Sequence, residues 1–195
     1  MTVTLAELNN KQTNLKMRRT LKTDKWNTIC LPYSLTSEEI STLFGSGTKV
    51  EAFSGLEYNS ETNSYTMNFS AATEMTAGTP YLIKPTTAGA DNIFEMQNKT
   101  IACASATTLP EGTTQTVNGT TLTMQGEYNK RKITPFDVTE SENIYVISGN
   151  MIYHVNSDVE MKGFHCYFVA KESTCLLYTS PSPRDRTRSR MPSSA

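Results

Sequence analysis

Several residue types and motifs that usually carry chemistry are scarce or absent in this chain of 195 residues. It contains two histidines and four cysteines, and no two cysteines have the CxxC spacing of a zinc or redox motif. Neither a glycine-rich phosphate loop nor a dinucleotide-binding fingerprint occurs. These absences predict a protein that binds no metal and no cofactor.

Long hydrophobic runs are also missing. No segment approaches the ~18 apolar residues that a membrane-spanning helix needs, so we expect no transmembrane segment. The first residues, MTVTLAELNNKQ, lack the apolar core of a signal peptide. They indicate either a cytoplasmic protein or a chain without its true start, and the unusual composition of the other end favours the second interpretation.

That other end is CLLYTSPSPRDRTRSRMPSSA, residues 175–195. It is rich in proline, serine and arginine and shows no hydrophobic periodicity, which predicts disorder. A basic arm for a polyanion and a solvated linker are two interpretations. The stretch more closely resembles the in-frame translation of a transposase-type sequencing-library adapter. On this interpretation it is a non-native tail, and the genuine protein breaks off near Thr174.

The rest of the chain, residues 1–174, is acidic on balance. The tail holds four of the 18 basic and one of the 19 acidic residues, which leaves 14 basic and 18 acidic side chains in residues 1–174. Such a surface has no basic field to attract phosphates, so we expect no binding of nucleic acid.

Threonine dominates the composition of residues 1–174. They contain 28 threonines, with many serines, asparagines and tyrosines. Threonine and tyrosine suit a pleated, half-exposed surface better than a helix. About ten strand-like segments recur at a spacing of roughly 8–15 residues, which is typical of sandwiches and barrels. The sequence therefore predicts an all-β fold, either an antiparallel β-sandwich or a partly open barrel.

One short helix is predicted over about residues 36–44, within LTSEEISTLFGSG. Thr36 followed by Glu39 fits a capping box, and Gly45 suits the C-terminal end of the helix. An apolar stripe at i, i+3 and i+4 is formed by Ile40, Leu43 and Phe44. We expect this helix to close one end of the sandwich or barrel.

The chain divides into three segments. Residues 1–19 are predicted as an N-terminal strand or linker, which would form a first hairpin or be the remnant of an upstream region. In this segment the alternation of LKMRRTL places Arg19 on one face with Leu15 and Met17. Residues 20–174 are predicted as the β domain, with long loops over 105–142, and residues 175–195 as the tail.

Turn signals and prolines locate individual strands. Asn118-Gly119 and Ser148-Gly149-Asn150 are predicted to join hairpins. NIFEM and KTIACAS are predicted as a further hairpin, and VEMKGFHCYFVA as a single last strand. Prolines at both ends restrict YLIK to a sheet edge or a brief paired run. KWNTICLP carries apolar groups on both faces and is predicted as a central strand.

Adjacent His165 and Cys166 are candidates for nucleophilic catalysis, because an imidazole beside a thiolate is an activated pair. However, successive residues of a strand point to opposite faces, so the two side chains should diverge. Cys166 shares its face with Phe164 and Phe168 and is assigned to the core. We therefore predict no catalytic residue here and no enzyme.

Three cysteines remain when Cys175 of the tail is set aside, namely Cys30, Cys103 and Cys166. All three lie in strand patterns, so we interpret them as small buried hydrophobic residues. A disulfide between two of them in an oxidising compartment is the alternative.

Acidic loops and aromatic residues offer two further candidates. SETNS and TESEN lack the spacing of a calcium site and single out no catalytic carboxylate pair, so we interpret them as solvated turns. A platform for stacking sugar rings could be formed by Trp26, Tyr58, Tyr65 and Tyr81. Their alternation with threonine and asparagine favours core or half-buried packing instead.

Four stretches in fixed order carry a family resemblance: LKTDKWNTICLPYSL, AGTPYLIKP, YVISGNMIYHV and MKGFHCYFVA. Together they resemble a β-rich accessory domain of exported surface proteins of gut Bacteroidetes, some of which carry leucine-rich repeats. The resemblance covers about residues 20–172 and implies export and a location at the cell surface, with no catalytic residues to assign. His165 and Cys166 stand where the family would place an arginine and a small residue, which indicates that neither performs shared chemistry.

We therefore expect a non-catalytic accessory, spacer or adhesion-type domain of a bacterial cell-surface protein. Its partners would be neighbouring domains of a longer chain, host proteins or glycans. The alternative is a carbohydrate-binding module attached to a glycan-active enzyme, which an exposed, coplanar pair of aromatic rings in a groove would favour. A weaker alternative is a hydrolase fragment, which converging acidic side chains in a deep pocket would favour.

Overall fold

The computed structural model describes residues 4–105, 109–135, 142–148 and 150–171, and its fold is consistent with an all-β sandwich. Strands account for 53% of the residues and helices for 9%, so the predicted all-β class with one short α-helix is confirmed. Several antiparallel sheets are present, and none of them closes into a barrel within these ranges. No helix in the described part of the chain is long and apolar enough to cross a bilayer.

The described ranges contain one α-helix and thirteen strands. Helix α1 spans Ser37–Phe44. The strands are β1 Gln12–Arg18, β2 Asn27–Cys30, β3 Lys49–Asn59, β4 Ser64–Ala71, β5 Pro80–Lys84, β6 Ile93–Thr100, β7 Thr113–Val117, β8 Thr120–Glu127, β9 Arg131–Ile133, β10 Glu142–Ser148, β11 Met151–His154, β12 Val159–Met161 and β13 His165–Lys171.

Two large antiparallel sheets face each other. One has the strand order β2-β5-β3-β4, and the other has the order β11-β10-β13-β8-β7. They meet where β2 and β5 lie against β13 and β8, and where β3 lies against β7. Two small sheets, β1 with β6 and β9 with β12, complete the fold.

Strand β13 is buried on both faces. Cys166, Phe168 and Ala170 point into the main core between the two large sheets. Tyr167 and Val169 alternate with them and join a smaller cluster with residues of β9, β10 and β12. This two-sided burial explains why residues 166–170 form a short continuous apolar run.

Helix α1 begins and ends as predicted. The Thr36 hydroxyl accepts a hydrogen bond from the Glu39 N–H at 3.4 Å, and the Glu39 carboxylate accepts one from the Thr36 N–H at 2.9 Å. Gly45 follows the helix with a φ of 97°, which favours glycine. Lys99 of β6 pairs with Glu39 and donates to the Ser34 carbonyl, so it holds the start of the helix against β6.

The predicted turn at Asn118-Gly119 joins β7 and β8, with φ values of 47° and 77°. Both residues occupy the left-handed region, as a type I′ hairpin requires. The predicted hairpin after Ser148 is also present, because Ser148 of β10 pairs with Met151 of β11. Gly149 itself lies outside the described residues.

The hairpin predicted from NIFEM and KTIACAS is wrong, because residues 93–100 form the single strand β6. Asn98 adopts a φ of 53° inside this strand, and its N–H bonds the Asn14 side chain of β1. The register of β1 shifts between Thr13 and Leu15 at the same place. The polar residues Gln97 and Asn98, which resemble a turn in the sequence, therefore lie at a β-bulge within one continuous strand.

The single last strand predicted from VEMKGFHCYFVA is also wrong. It consists of β12 and β13, which belong to different sheets. Phe164 between them has a φ of 60°. A side chain at Gly163 would meet the Tyr128 carbonyl oxygen at 2.5 Å, so the chain turns in close contact with the end of β8.

Strand positions within the sheets match one expectation and differ from another. β5 takes the second of its two predicted forms, a brief paired run, and lies between β2 and β3 rather than at an edge. Pro80 is its first residue, where the missing N–H is tolerated. Within the described residues, β2 has a sheet neighbour on one side only, so it is not the predicted central strand. The strands of the facing sheet cover β2 instead. The Cys30 N–H donates to the Phe164 carbonyl at 3.2 Å and so joins β2 to the residue before β13.

The N-terminal segment and the predicted loop region contain regular structure. Ala6–Leu8 form a 3-10 helix within residues 1–19, which were predicted as a strand or linker. β1 pairs with β6 rather than forming a first hairpin. Strands β7, β8 and β9 lie within residues 105–142, where long loops were expected. Residues 106–108 and 136–141 lie outside the described residues.

We expect Gly126→Ala to lower the free energy of unfolding by about 1–3 kcal/mol, because the added methyl group would overpack the core. Its Cβ would lie 2.4 Å from Cys30 Sγ and 3.0 Å from Cys30 Cβ. The matched control is Gly55→Ala, whose Cβ would meet Asn68 Cβ at 3.4 Å. Urea denaturation of both variants checks this, and equal midpoints for the two would contradict it.

Candidate functional site

The pair His165 and Cys166 lies at the start of β13, where β13 meets β2. His165 Nδ1 lies 3.2 Å from the Thr28 hydroxyl. Cys166 Sγ is fully inside the core and donates to the Ile29 carbonyl at 3.1 Å. The two side chains thus have separate partners on β2, and the thiol bonds a backbone oxygen rather than an imidazole.

Burial holds both groups in their neutral forms. It raises the pKa of the Cys166 thiol to about 12, against a smaller opposing effect of the Arg19 charge. It also lowers the pKa of His165 to about 3, and the positive charges of Arg19 and Lys162 lower it further. At neutral pH the thiol keeps its proton and the imidazole is uncharged. This is the reverse of the thiolate–imidazolium pair that a cysteine nucleophile uses.

The buried cation Arg19 lies at this junction, and only 5% of its surface is exposed. Its guanidinium donates to the Thr28 carbonyl of β2 and to the Phe164 carbonyl that precedes β13. We call these three residues the Arg19 junction. Within the described part of the chain Arg19 forms no ion pair, and its Nε has no hydrogen-bond partner.

Arg19 stays charged despite its burial, because desolvation lowers the pKa of its guanidinium only to about 10. The cation is held by carbonyl dipoles instead of a carboxylate. The sequence assigned no role to this residue. The signal that could have found it is the alternation of LKMRRTL, which puts Arg19 in line with Leu15 and Met17. Arg19 lies one residue beyond the end of β1 and continues this direction into the core.

Among the described acidic residues, Glu127 at the end of β8 is the buried one, with 3% of its surface exposed. It faces His165 in the strand register. Its carboxylate accepts a hydrogen bond from the Asn129 N–H at 2.9 Å and lies 3.8 Å from the Arg131 guanidinium. These contacts tie the turn after β8 to the strand, so the carboxylate has a structural role in the geometry observed.

The four aromatic residues of the sugar-platform hypothesis do not come together. Tyr81 is buried in the core, where its hydroxyl accepts a hydrogen bond from the Thr76 N–H at 3.1 Å. Tyr81 of β5 pairs with Ala52 of β3. Tyr58 lies six residues further along β3, which puts it roughly 20 Å from Tyr81. Trp26 is half-buried, and its backbone N–H donates to the Asn150 side chain at 2.9 Å.

Tyr58 and Tyr65 do form a pair across β3 and β4. Both are half-buried, their ring centroids are 4.9 Å apart, and the rings are inclined by 45°. The Tyr58 hydroxyl donates to Asn63, and the Tyr65 hydroxyl accepts from Thr120. A sugar ring lies flat on one aromatic face, so this inclined pair offers at most one ring at a time.

A cleft of about 530 Å³ lies beside Cys30, whose thiol donates to the carbonyl of the lining residue Gly78. It is lined by Tyr128 and by residues 77–79, 102–105 and 109–113. Cys103 in its wall donates its thiol proton to the Ser105 carbonyl at 3.2 Å. Glu111 is the one acidic residue among the described lining residues, so that lining provides no carboxylate pair.

The acidic loop SETNS forms a turn that the preceding residue closes, because the Asn59 side chain accepts hydrogen bonds from the N–H groups of Glu61 and Thr62. Most of TESEN lies outside the described residues. In the ranges that the structure describes, no three histidine, cysteine, aspartate or glutamate side chains are grouped to hold a metal ion.

Truncating the buried cation should destabilise the fold. We expect Arg19→Ala to lower the free energy of unfolding by roughly 2–4 kcal/mol, because two buried carbonyls lose their donor and the core loses a long side chain. Arg18→Ala is the matched control, since Arg18 is the neighbouring arginine at the end of β1 and its side chain is exposed. Urea denaturation measures both, and similar losses for the two variants would show that Arg19 has no special role.

His165 should also make stability depend on pH. Its pKa is about 3 in the folded state and about 6.5 when unfolded, so the unfolded chain takes up the proton first as the pH falls. This contribution to stability is complete above pH ~6.5 and is lost as the pH falls towards ~3.

We expect His165→Gln to remove this part of the pH dependence. The measurement is the free energy of unfolding at about pH 7.5 and about pH 4.5, where the wild-type protein should lose more stability than the variant. His154→Gln, which changes the exposed histidine, controls for the loss of one imidazole. An equal loss in the wild-type protein and in His165→Gln would contradict the assignment.

In comparisons with known proteins, no family model, no curated protein and no solved structure matches this chain. Its function is therefore argued from its own residues and their geometry, together with the sequence resemblance described above.

Proposed function

We propose that this chain is a non-catalytic accessory domain of an exported bacterial cell-surface protein, acting as a spacer or adhesion-type module. The observation that carries the proposal is the state of the His165 and Cys166 side chains. This most reactive pair in the sequence is divided between two structural contacts on β2, at the Thr28 hydroxyl and the Ile29 carbonyl.

The electrostatics of this pair support a structural role. A nucleophilic cysteine needs a thiol whose pKa is lowered and an exposed path to the substrate. Cys166 has the opposite properties, since its thiol pKa is raised to about 12 and only 2% of its surface is exposed. The residue behaves as a small core side chain with a weak donor.

The described surface supports the spacer more than an enzyme. The cleft has a single acidic residue, Glu111, among its described lining. The buried carboxylate Glu127 is bonded to the turn that follows it. Acid–base hydrolysis of a glycosidic bond needs two carboxyl groups flanking one site, and the described lining of the cleft provides one.

The acidic balance of residues 1–174 and the threonine-rich strands fit a module that stays soluble next to other domains. Neighbouring domains of a longer chain are the first class of partner. Host proteins and glycans are the second, because they are what a module on the cell surface would meet.

A carbohydrate-binding module attached to a glycan-active enzyme is the second candidate. The observation that favours it is the half-buried Tyr58 and Tyr65 pair, whose rings lie next to each other with their hydroxyls already oriented by Asn63 and Thr120. The rings are inclined by 45°, and coplanar rings would suit a sugar chain better. For this reason we prefer the spacer to the carbohydrate-binding module.

A glycan array distinguishes the two candidates. We expect no reproducible binding at micromolar concentration, either by the full chain or by a chain ending at Thr174. Comparing the full chain with the shortened chain distinguishes binding by residues 1–174 from binding by the arginine-rich tail, whose positive charge could attract sulfated glycans.

Micromolar binding shared by both chains and lost in Tyr58→Ala/Tyr65→Ala would overturn the spacer in favour of the carbohydrate-binding module. Tyr153→Ala is the matched control, since Tyr153 is the exposed tyrosine of β11, with 47% of its surface accessible. Binding lost only in this control would also overturn the spacer and would place the glycan on β11.

A further inference from the structure

Two buried thiols lie where the large sheets meet. Cys30 ends β2 in one sheet, and Cys166 is the second residue of β13 in the other. Their exposed surfaces are 0% and 2%. The backbone already bridges the sheets here, because the Cys30 N–H donates to the Phe164 carbonyl at 3.2 Å.

The position of the Cys166 thiol fixes its distance from Cys30. Cys166 Sγ lies 3.1 Å from the Ile29 carbonyl oxygen, which belongs to the peptide that joins Ile29 to Cys30. The fixed geometry of that peptide puts Cys166 Sγ within about 6 Å of Cys30 Cα. The thiol therefore approaches the backbone of the other cysteine directly.

The Cys30 thiol lies beside Cys166 in turn. Gly126 of β8 is the register partner of Cys166. A Cβ at Gly126 would lie 2.4 Å from Cys30 Sγ, so Cys30 fills the space that this glycine leaves open. The Cβ positions of such cross-strand partners are only about 4.5–5.5 Å apart. Cys30 Sγ thus occupies the site next to the Cys166 side chain.

Neither thiol is committed to a side-chain partner. Cys30 Sγ donates to the Gly78 carbonyl at 3.4 Å, and Cys166 Sγ donates to Ile29. The Arg19 guanidinium bonds Thr28 and Phe164, which precede the two cysteines by two residues each. Burial raises the pKa of both thiols, and the Arg19 charge opposes that rise only in part, so the exchange takes place as the chain folds, before the two thiols are buried.

We propose that Cys30 and Cys166 form a disulfide between the two sheets when the chain folds in the presence of a small-molecule disulfide as oxidant. One thiolate attacks the oxidant and forms a mixed disulfide with release of one thiol; the second thiolate displaces the other. The two cysteines together lose two protons and two electrons, and the oxidant gains them to become two thiols.

This inference goes beyond the proposed function and does not depend on it, because it concerns the intrinsic chemistry of the pair. Cys103 is the competing partner, because its thiol lies in the wall of the cleft that Gly78, the acceptor of the Cys30 thiol, also lines. A bond between residues 30 and 166 would close a loop around most of the described fold, which restricts the unfolded chain strongly.

The test is refolding of the full chain with Cys175→Ser, from denaturant, in oxidised and reduced glutathione. Free thiols are then alkylated, and the disulfide is located by peptide mass mapping. We expect one Cys30–Cys166 peptide, alkylation confined to Cys103, and a midpoint of thermal unfolding raised by roughly 5–15 °C over the reduced protein.

Cys103→Ala in the same background is the matched control and should keep the disulfide and the shift. Cys30→Ala and Cys166→Ala should each lose both. A disulfide that contains Cys103, or full alkylation of Cys30 and Cys166 after oxidative refolding to a folded protein, would overturn the proposal. The peptide mass mapping is done on the Cys175→Ser chain, which keeps both Cys30 and Cys166. Its result therefore stands even where a Cys30 or Cys166 variant fails to fold.

Discussion

The Arg19 guanidinium is the contact on which the arrangement of the two sheets depends. It enters the core at the end of β1 and donates to Thr28 on β2 and to Phe164 before β13. A buried cation is costly unless its donors are satisfied, so the carbonyls must remain in place around it. The Arg19 junction thereby fixes three segments that are far apart in sequence, and it explains why Phe164 can hold a φ of 60°.

The same junction decides what the nearby reactive groups can do. It buries Cys30 and Cys166, and it lies against His165, whose imidazole bonds Thr28. Burial keeps the thiols protonated and the imidazole neutral, so these groups stabilise the fold, although their residue types are typical of catalytic sites. The proposed function as a spacer and the proposed disulfide both follow from this use of chemically reactive residues as structural ones.

Local signals in the sequence were enough for the elements whose stabilising contacts are local. The capping box of α1 and the Asn118-Gly119 turn were predicted from a few neighbouring residues, and both occur. The errors fall where distant segments decide the outcome. Residues 93–100 form one strand because β1, more than 80 positions earlier, supplies the bulge and the Asn14 contact. Arg19 likewise has partners on β2 and before β13 that no local pattern reveals.

Native-state hydrogen exchange tests the central role of the Arg19 junction most directly. The Cys30 N–H donates to Phe164 and reports whether β2 stays joined to the residue before β13. We predict that it exchanges only through global unfolding, with the same free energy as denaturation gives for the whole domain. Exchange at a much smaller free energy, while the amides between β8 and β13 stay protected, would contradict the account.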